Sequence, residues 1–223
     1  HGVLPPESGR LANPFREWIG AQIRVDFYGY IAAGNPALAA DMACRDAVVA
    51  QSKNGVYAAM YTAALIASAA VLPRPCEWVE EAMKQIPLKS RLYHELSLLL
   101  SQWRDGASWE ALEEAIHGKY REEDHFDWCL AIPNALIVTA CVLCFGQDYS
   151  EAVIHAVLTG FDTDCNGATV GSIAGIACGA DKIPDKWKTP VQQIICSSVN
   201  SYTRIPVEEI VKRTIAVSRT LRP

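Results

Sequence analysis

Two carboxylates set two residues apart give the chain its clearest chemical signal. Asp162 and Asp164 lie in Gly160-Phe161-Asp162-Thr163-Asp164-Cys165-Asn166-Gly167, a glycine-flanked stretch that reads as a loop just before a helix. Side chains at that spacing can converge, with the Thr163 and Cys165 groups, on one small volume. Hard divalent cations want such an arrangement, because Mg²⁺ takes a few carboxylates plus waters and keeps positions for a substrate oxygen. The competing reading is that Asp164 or Thr163 caps the helix that follows. The Asp-x-Asp-x-Asn-Gly pattern is also similar to a calcium loop, but such a loop needs a bidentate Glu at its twelfth position, and that position holds Ile173.

Other site chemistries find little support. The five histidines form no spaced metal motif: His1 is terminal, His94 and His117 fall on charged helices, His125 in an acidic turn and His155 in mid-helix. No Ser, Cys and His arrangement suggests acyl transfer, and no Walker-type phosphate loop occurs. Cys141-Val-Leu-Cys144 sits inside an apolar run, where core packing explains it better than zinc or redox chemistry. With 223 residues there is no need of disulfide staples, so the eight cysteines read as reduced and the protein as intracellular, in the cytoplasm. A net charge of −5 with scattered basic residues leaves no electrostatic footprint for nucleic acid or an anionic membrane. Small-molecule or protein substrates fit better.

The elements that must position these residues are helices. Residues 1–14, with Pro5, Pro6, Gly9, Asn13 and Pro14, read as an irregular arm. From Trp18 onward there is little period-2 alternation, and short Gly, Asn and Pro breaks separate apolar periodic runs. Gly34-Asn35-Pro36 opens one helix to about Ser52, and Lys53-Asn54-Gly55 precedes an alanine-rich helix ending before Pro73. More charged helices are expected near 76–85, 92–103 and 109–117, with Leu98, Leu99 and Trp103 facing the core. Then come helices over 133–145, 149–158 and 168–179, the last with a bare stripe of Gly171, Gly175 and Gly179, and a closing helix from Pro206 to about Arg219. The apolar stretches 56–72 and 128–145 approach membrane-spanning length, but polar residues and Pro133 interrupt them, so buried central helices are expected.

The run Asp162-Thr-Asp-Cys-Asn-Gly-Ala-Thr-Val-Gly-Ser-Ile-Ala-Gly175, with Gly179, resembles the closing signature of the ADP-ribosylglycohydrolase family. The resemblance extends in order through Ile19-Gly-Ala-Gln-Ile-Arg-Val-Asp26, Gly34-Asn-Pro36, Asn54-Gly-Val-Tyr57 and Ile132-Pro-Asn134. It implies an all-α, multi-helix orthogonal bundle forming one domain, of which residues 1–223 would be the C-terminal portion. It also implies a metal-dependent hydrolase of ADP-ribosyl glycosidic bonds, freeing ADP-ribose from a protein side chain or small acceptor, with two Mg²⁺ ions. Carried onto this sequence, Asp162 and Asp164 would be metal ligands, and Cys165 would stand where relatives place a Thr, a weak contact because a neutral thiol suits magnesium poorly. Asn54, Gly55 and Tyr57 resemble a helix start that faces the ADP-ribose, where backbone N–H groups suit a pyrophosphate. Asn134 would contact the substrate or serve the helix start beside Pro133. The family's Gly-Asp and Thr-Asp-Asp motifs do not occur in the chain, so remaining ligands and the catalytic acid would come from an upstream segment. Gln51, Ala59 and Leu130 replace polar residues of relatives, which makes an inactive ADP-ribose-binding or structural member the alternative.

Overall fold

The computed structural model describes residues 2–124, 126–191 and 193–221. His1 and His125 lie outside them. The chain is built from helices α1 (Asp26–Ile31), α2 (Pro36–Ala47), α3 (Asn54–Ala69), α4 (Pro75–Met83), α5 (Arg91–Arg104), α6 (Trp109–Lys119), α7 (Ala131–Phe145), α8 (Tyr149–Leu158), α9 (Thr163–Cys178), α10 (Asp185–Lys188) and α11 (Val207–Thr220), and is all-α as its pattern requires. One feature escaped the pattern: strands β1 (Ile194–Cys196) and β2 (Arg204–Pro206) pair antiparallel, Ile195 opposite Ile205. Three residues are too few to display alternation.

Local chemistry sets the helix starts. Asn35 accepts from the Leu38 N–H ahead of Pro36, Ser90 from Tyr93, and Asp148 from Ser150 and Glu151, each supplying a partner to orphan first-turn donors. On α5 the buried stripe is Leu92, Leu96 and Leu99 with Leu100. Leu98, expected inside, is 47% exposed because it falls about 100° off that stripe.

α3 and α7 form the interior layer and are buried on nearly all sides. Alanines 58, 59, 63, 64 and 67 let α2, α4 and α1 approach α3 closely. Gly29 on α1 completes one such approach, since a β-carbon there would run into Ile66 and the Ala63 carbonyl. Tyr61 and Thr139 share a buried hydroxyl bond of 2.9 Å that pins α3 to α7. No helix among the described residues is long and apolar enough to cross a membrane. The N-terminal arm is irregular apart from a short turn at Glu7–Gly9, and it is tied down: Ser8 donates to the Val49 carbonyl and Asn13 to that of Ala50.

α8 and α9 pack as a tight pair. The expected glycine stripe is the reason: Gly171 and Gly175 receive the Tyr149 ring of α8, while Gly179, at φ +80°, ends α9. The structure corrects the start of this helix. α9 begins at Thr163, so Asp164, Cys165, Asn166 and Gly167 belong to its first turn and not to a preceding loop.

α9 also receives a half-buried carboxylate from α1. Ser172 donates to Asp26 Oδ2 at 2.6 Å, and Asp26 Oδ1 has no partner among the described residues. Burial pushes the Asp26 carboxyl from 3.8 to about 6, against the Ser172 hydrogen bond, which pulls it down. The folded pKa lies above the unfolded one, so the native state holds the proton more tightly. The contribution of this group to stability is therefore full below about pH 4 and is lost as pH rises through about 6. A shift of this size costs about 3 kcal/mol at neutral pH. Asp26→Asn, which keeps a weaker bond to Ser172, is expected to raise neutral-pH stability by about 2 kcal/mol and to flatten the stability profile across that window. Urea unfolding at a series of pH values measures this; an unchanged slope between pH 4 and 6 would assign the proton elsewhere.

Candidate functional site

The turn before α9 is forced into shape by two consecutive left-handed residues, Gly160 at φ +87° and Phe161 at φ +58°. Glycine takes this conformation freely, whereas Phe161 takes it at a cost of about 1–3 kcal/mol that its surroundings must meet. Those surroundings are specific. His117 Nε2 lies 2.9 Å from the Thr159 carbonyl, and its ring packs on the Phe161 ring. Glu122 accepts the Phe161 N–H at 3.0 Å and fills the space that a β-carbon at residue 160 would occupy. Asn134 accepts the Asp162 N–H at 3.2 Å. Side chains from the end of α6, the segment after it and α7 thus hold one turn.

Asp162 occupies the N-cap position of α9 but makes no capping hydrogen bond. Its carboxylate, the exposed carboxylate of Asp164 and the half-buried Cys165 thiol each place a ligand atom within 4.8 Å of the others. The sequence-expected trio is therefore assembled in space. Burial raises the Asp162 carboxyl, and the Asp164 charge beside it adds to that; the hydrogen bond with Asp162 lowers Asp164. The pair thus shares its proton unevenly, with Asp164 the more acidic member.

A fourth donor was not anticipated. Cys129, buried in a short turn (Asp127–Cys129) before α7, puts its Sγ 3.9 Å from Asp162 Oδ2. Burial first, and then the neighbouring carboxylates, push the Cys129 thiol up to about 11 and that of Cys165 to about 12. Two carboxylates fit a divalent cation; the thiols beside them are poor ligands for a hard ion such as Mg²⁺. No helical or strand period links residue 129 to 162, so only the folded chain reveals this neighbour.

Asn134 is fully buried, and its amide is completely used by the protein. Nδ2 donates to the Trp128 and Leu130 carbonyls at 2.9 and 2.8 Å, while Oδ1 accepts from Asp162 N and, at 2.7 Å, from Asn166 Nδ2. It leaves no group for the substrate contact expected of it and acts instead as a brace under the acidic turn. Gln51, in place of a polar site residue, likewise donates to the Phe15 and Trp18 carbonyls.

Asn54, Gly55 and Tyr57 lie together at the start of α3, away from the acids. The N–H groups of Gly55, Val56 and Tyr57 already donate to the Ser52 and Lys53 carbonyls, so the expected row of free donors is not there. Asn54 donates to Glu17 at 2.7 Å and accepts from the Leu92 N–H. It borders a cleft of about 480 Å³ lined also by Arg16, Arg91, Lys119, Tyr120 and Phe126. Arg91 pairs with Glu17 and Lys119 with Glu95 in its walls. Tyr57 and Lys53 face an adjoining depression with Ser90 and Arg91. The segment from Phe126 to Ile132 separates cleft and acids: Phe126, Leu130 and Ile132 line the first, and Cys129 touches the second. Backbone bonds from Ile19 to Cys129 and from Ala131 to Glu17 fix that segment against the chain before α1.

One family profile, described as ADP-ribosylglycohydrolase, matches residues 2–221 of the chain. No curated protein matches it.

Proposed function

The chain belongs to the ADP-ribosylglycohydrolase family, and from that premise we propose that it hydrolyses ADP-ribosyl glycosidic bonds, freeing ADP-ribose from a side chain or small acceptor with the help of a divalent cation held by Asp162 and Asp164. The carrying observation is the pairing of these carboxylates at the start of α9, with the ligand atoms of Asp162, Asp164 and Cys165 all within 4.8 Å of one another. A cation bound there supplies Lewis-acid polarisation of a ribose hydroxyl or an attacking water.

The chain's own residues do the rest. His117, Glu122 and Asn134 hold the turn that carries both carboxylates, so the backbone beneath them is set before a cation binds. The cleft of about 480 Å³ is of the size that small-molecule sites have, and its Arg16, Arg91 and Lys119 suit a pyrophosphate. Asn54 and Tyr57 border the same region. Phe126 gives an aromatic face for a base. A second ion, as family resemblance implies, calls for acids beyond those found here. The free cysteines suit a reducing compartment such as the cytoplasm.

The test is release of ADP-ribose from ADP-ribosylated peptides and small acceptors by the chelator-treated full chain, with and without added divalent cation. Cation-dependent release is expected. Binding of ADP-ribose without release would make the chain a binding member of its family. Neither binding nor release would sink both.

A further inference from the structure

The donor set at the start of α9 is not the one a magnesium site uses. Two sulfurs accompany two carboxylates, and they come from separate segments: Cys129 from the turn before α7, and Asp162, Asp164 and Cys165 from the start of α9. No Lys, Arg or His nitrogen lies within 4 Å of either carboxylate among the described residues, so no side chain balances the charge gathered there. Beside them, Asn166 is fully buried with its amide oxygen unpartnered, although its Nδ2 is bound to the same Asn134 oxygen that holds the Asp162 N–H. Buried polar atoms are normally satisfied, and this orphan belongs to the same first turn of α9 as the trio.

Resting on the metal-binding part of the function proposed above, we infer that the ion selected here is a thiophilic divalent cation of the zinc class, with Cys129 and Cys165 as ligands beside the aspartates. Zinc accepts sulfur at about 2.3 Å and carboxylate oxygen at about 2.0–2.2 Å, in a tetrahedron that indifferently mixes the two. Such bonds place neighbouring ligand atoms about 3.5 Å apart. The Cys129 to Asp162 separation of 3.9 Å is close to that, the 4.8 Å limit of the trio is closed by rotations of its short side chains, and Cys129, which lies outside the trio, turns towards Asp164 and Cys165 as the ion binds. Each thiol gives up its proton to solvent as it ligates, so binding releases two protons per ion. Magnesium, which demands an oxygen octahedron, gains nothing from either sulfur.

The full chain, stripped with chelator and titrated with Co²⁺, tests this. Expected is the near-ultraviolet sulfur-to-cobalt absorption, abolished by stoichiometric Zn²⁺ and retained in a large excess of Mg²⁺. Cys129→Ser and Cys165→Ser should each remove about half of that absorption, while Cys196→Ser, an exposed thiol on β1, leaves it intact. Cobalt bound without the sulfur absorption, absorption untouched by both serine variants, or ready displacement by Mg²⁺ would each overturn the inference. The wild-type competition decides the matter even where a variant fails to fold. Release of ADP-ribose, followed in parallel with Mg²⁺ and Zn²⁺, keeps the two readings apart: release without the sulfur absorption removes zinc selection alone, and sulfur absorption without release in either ion removes the hydrolase alone.

Discussion

Asp164→Ala should reduce cation-dependent release of ADP-ribose by more than about a hundredfold, beyond what even the loss of an outer-sphere partner typically costs a metal site. Asp164 is the informative member of the pair because it carries little structural duty. Its side chain is exposed at the first turn of α9, whereas Asp162 is buried. Its hydrogen bond with Asp162 keeps it the more acidic of the two, hence ionised and ready to ligate. Removing it leaves Asp162 as the one carboxylate of the trio, too few oxygen ligands to hold a hard divalent cation. Asp164→Asn, which keeps the shape and loses the charge, should behave almost as badly. Activity and cation affinity are measured together with the thermal midpoint. Loss of both activity and affinity with the midpoint unmoved is the expected pattern; retained affinity would move the ion elsewhere.

Asn134→Ala acts on the same turn through the fold. Truncation strands the Trp128 and Leu130 carbonyls, the Asp162 N–H and the Asn166 amide at once, in a fully buried place. Each stranded group costs about 1–3 kcal/mol, and the expected loss of stability is about 4 kcal/mol or more. The cation should also bind about 10–100-fold more weakly, since the Asp162 backbone loses its anchor. Urea unfolding and cation titration of the same variant give both numbers. A loss under about 1 kcal/mol would mean that water replaces the amide and that the brace is dispensable.

The sequence carried the architecture because helix starts and stops are local. Asn35-Pro36, Ser90, Asp148 and Gly179 act within one turn of where they stand, and the apolar runs of α3 and α7 could only be interior. Asp162, Asp164 and Cys165 were legible for the same reason, being neighbours in the chain. What stayed hidden depends on tertiary contacts. Cys129 meets Asp162 across 33 residues, Glu122 meets Phe161 across 39, and Arg91 meets Glu17 across 74. The start of α9 was misplaced by five residues because Gly167 reads as a breaker, whereas it is buried in the helix with its bare face against Val157. Asn134, which the resemblance offered as a substrate contact or a helix-start residue, has four partners inside the protein, and these too are tertiary contacts.

The stretch from Phe126 to Asn134 has one side in the cleft and the other under the acidic turn, and the end of α6 repeats the arrangement, with Lys119 in the cleft wall and His117 on the turn. A coupling carried by these shared segments would act in both directions. By whatever factor an occupant of the cleft changes the affinity of the ion, the ion changes the affinity of that occupant by the same factor. With such a coupling, a nucleotide-like molecule that merely fills the cleft would act as an effector of metal uptake, and the supply of metal would set how tightly that molecule is retained.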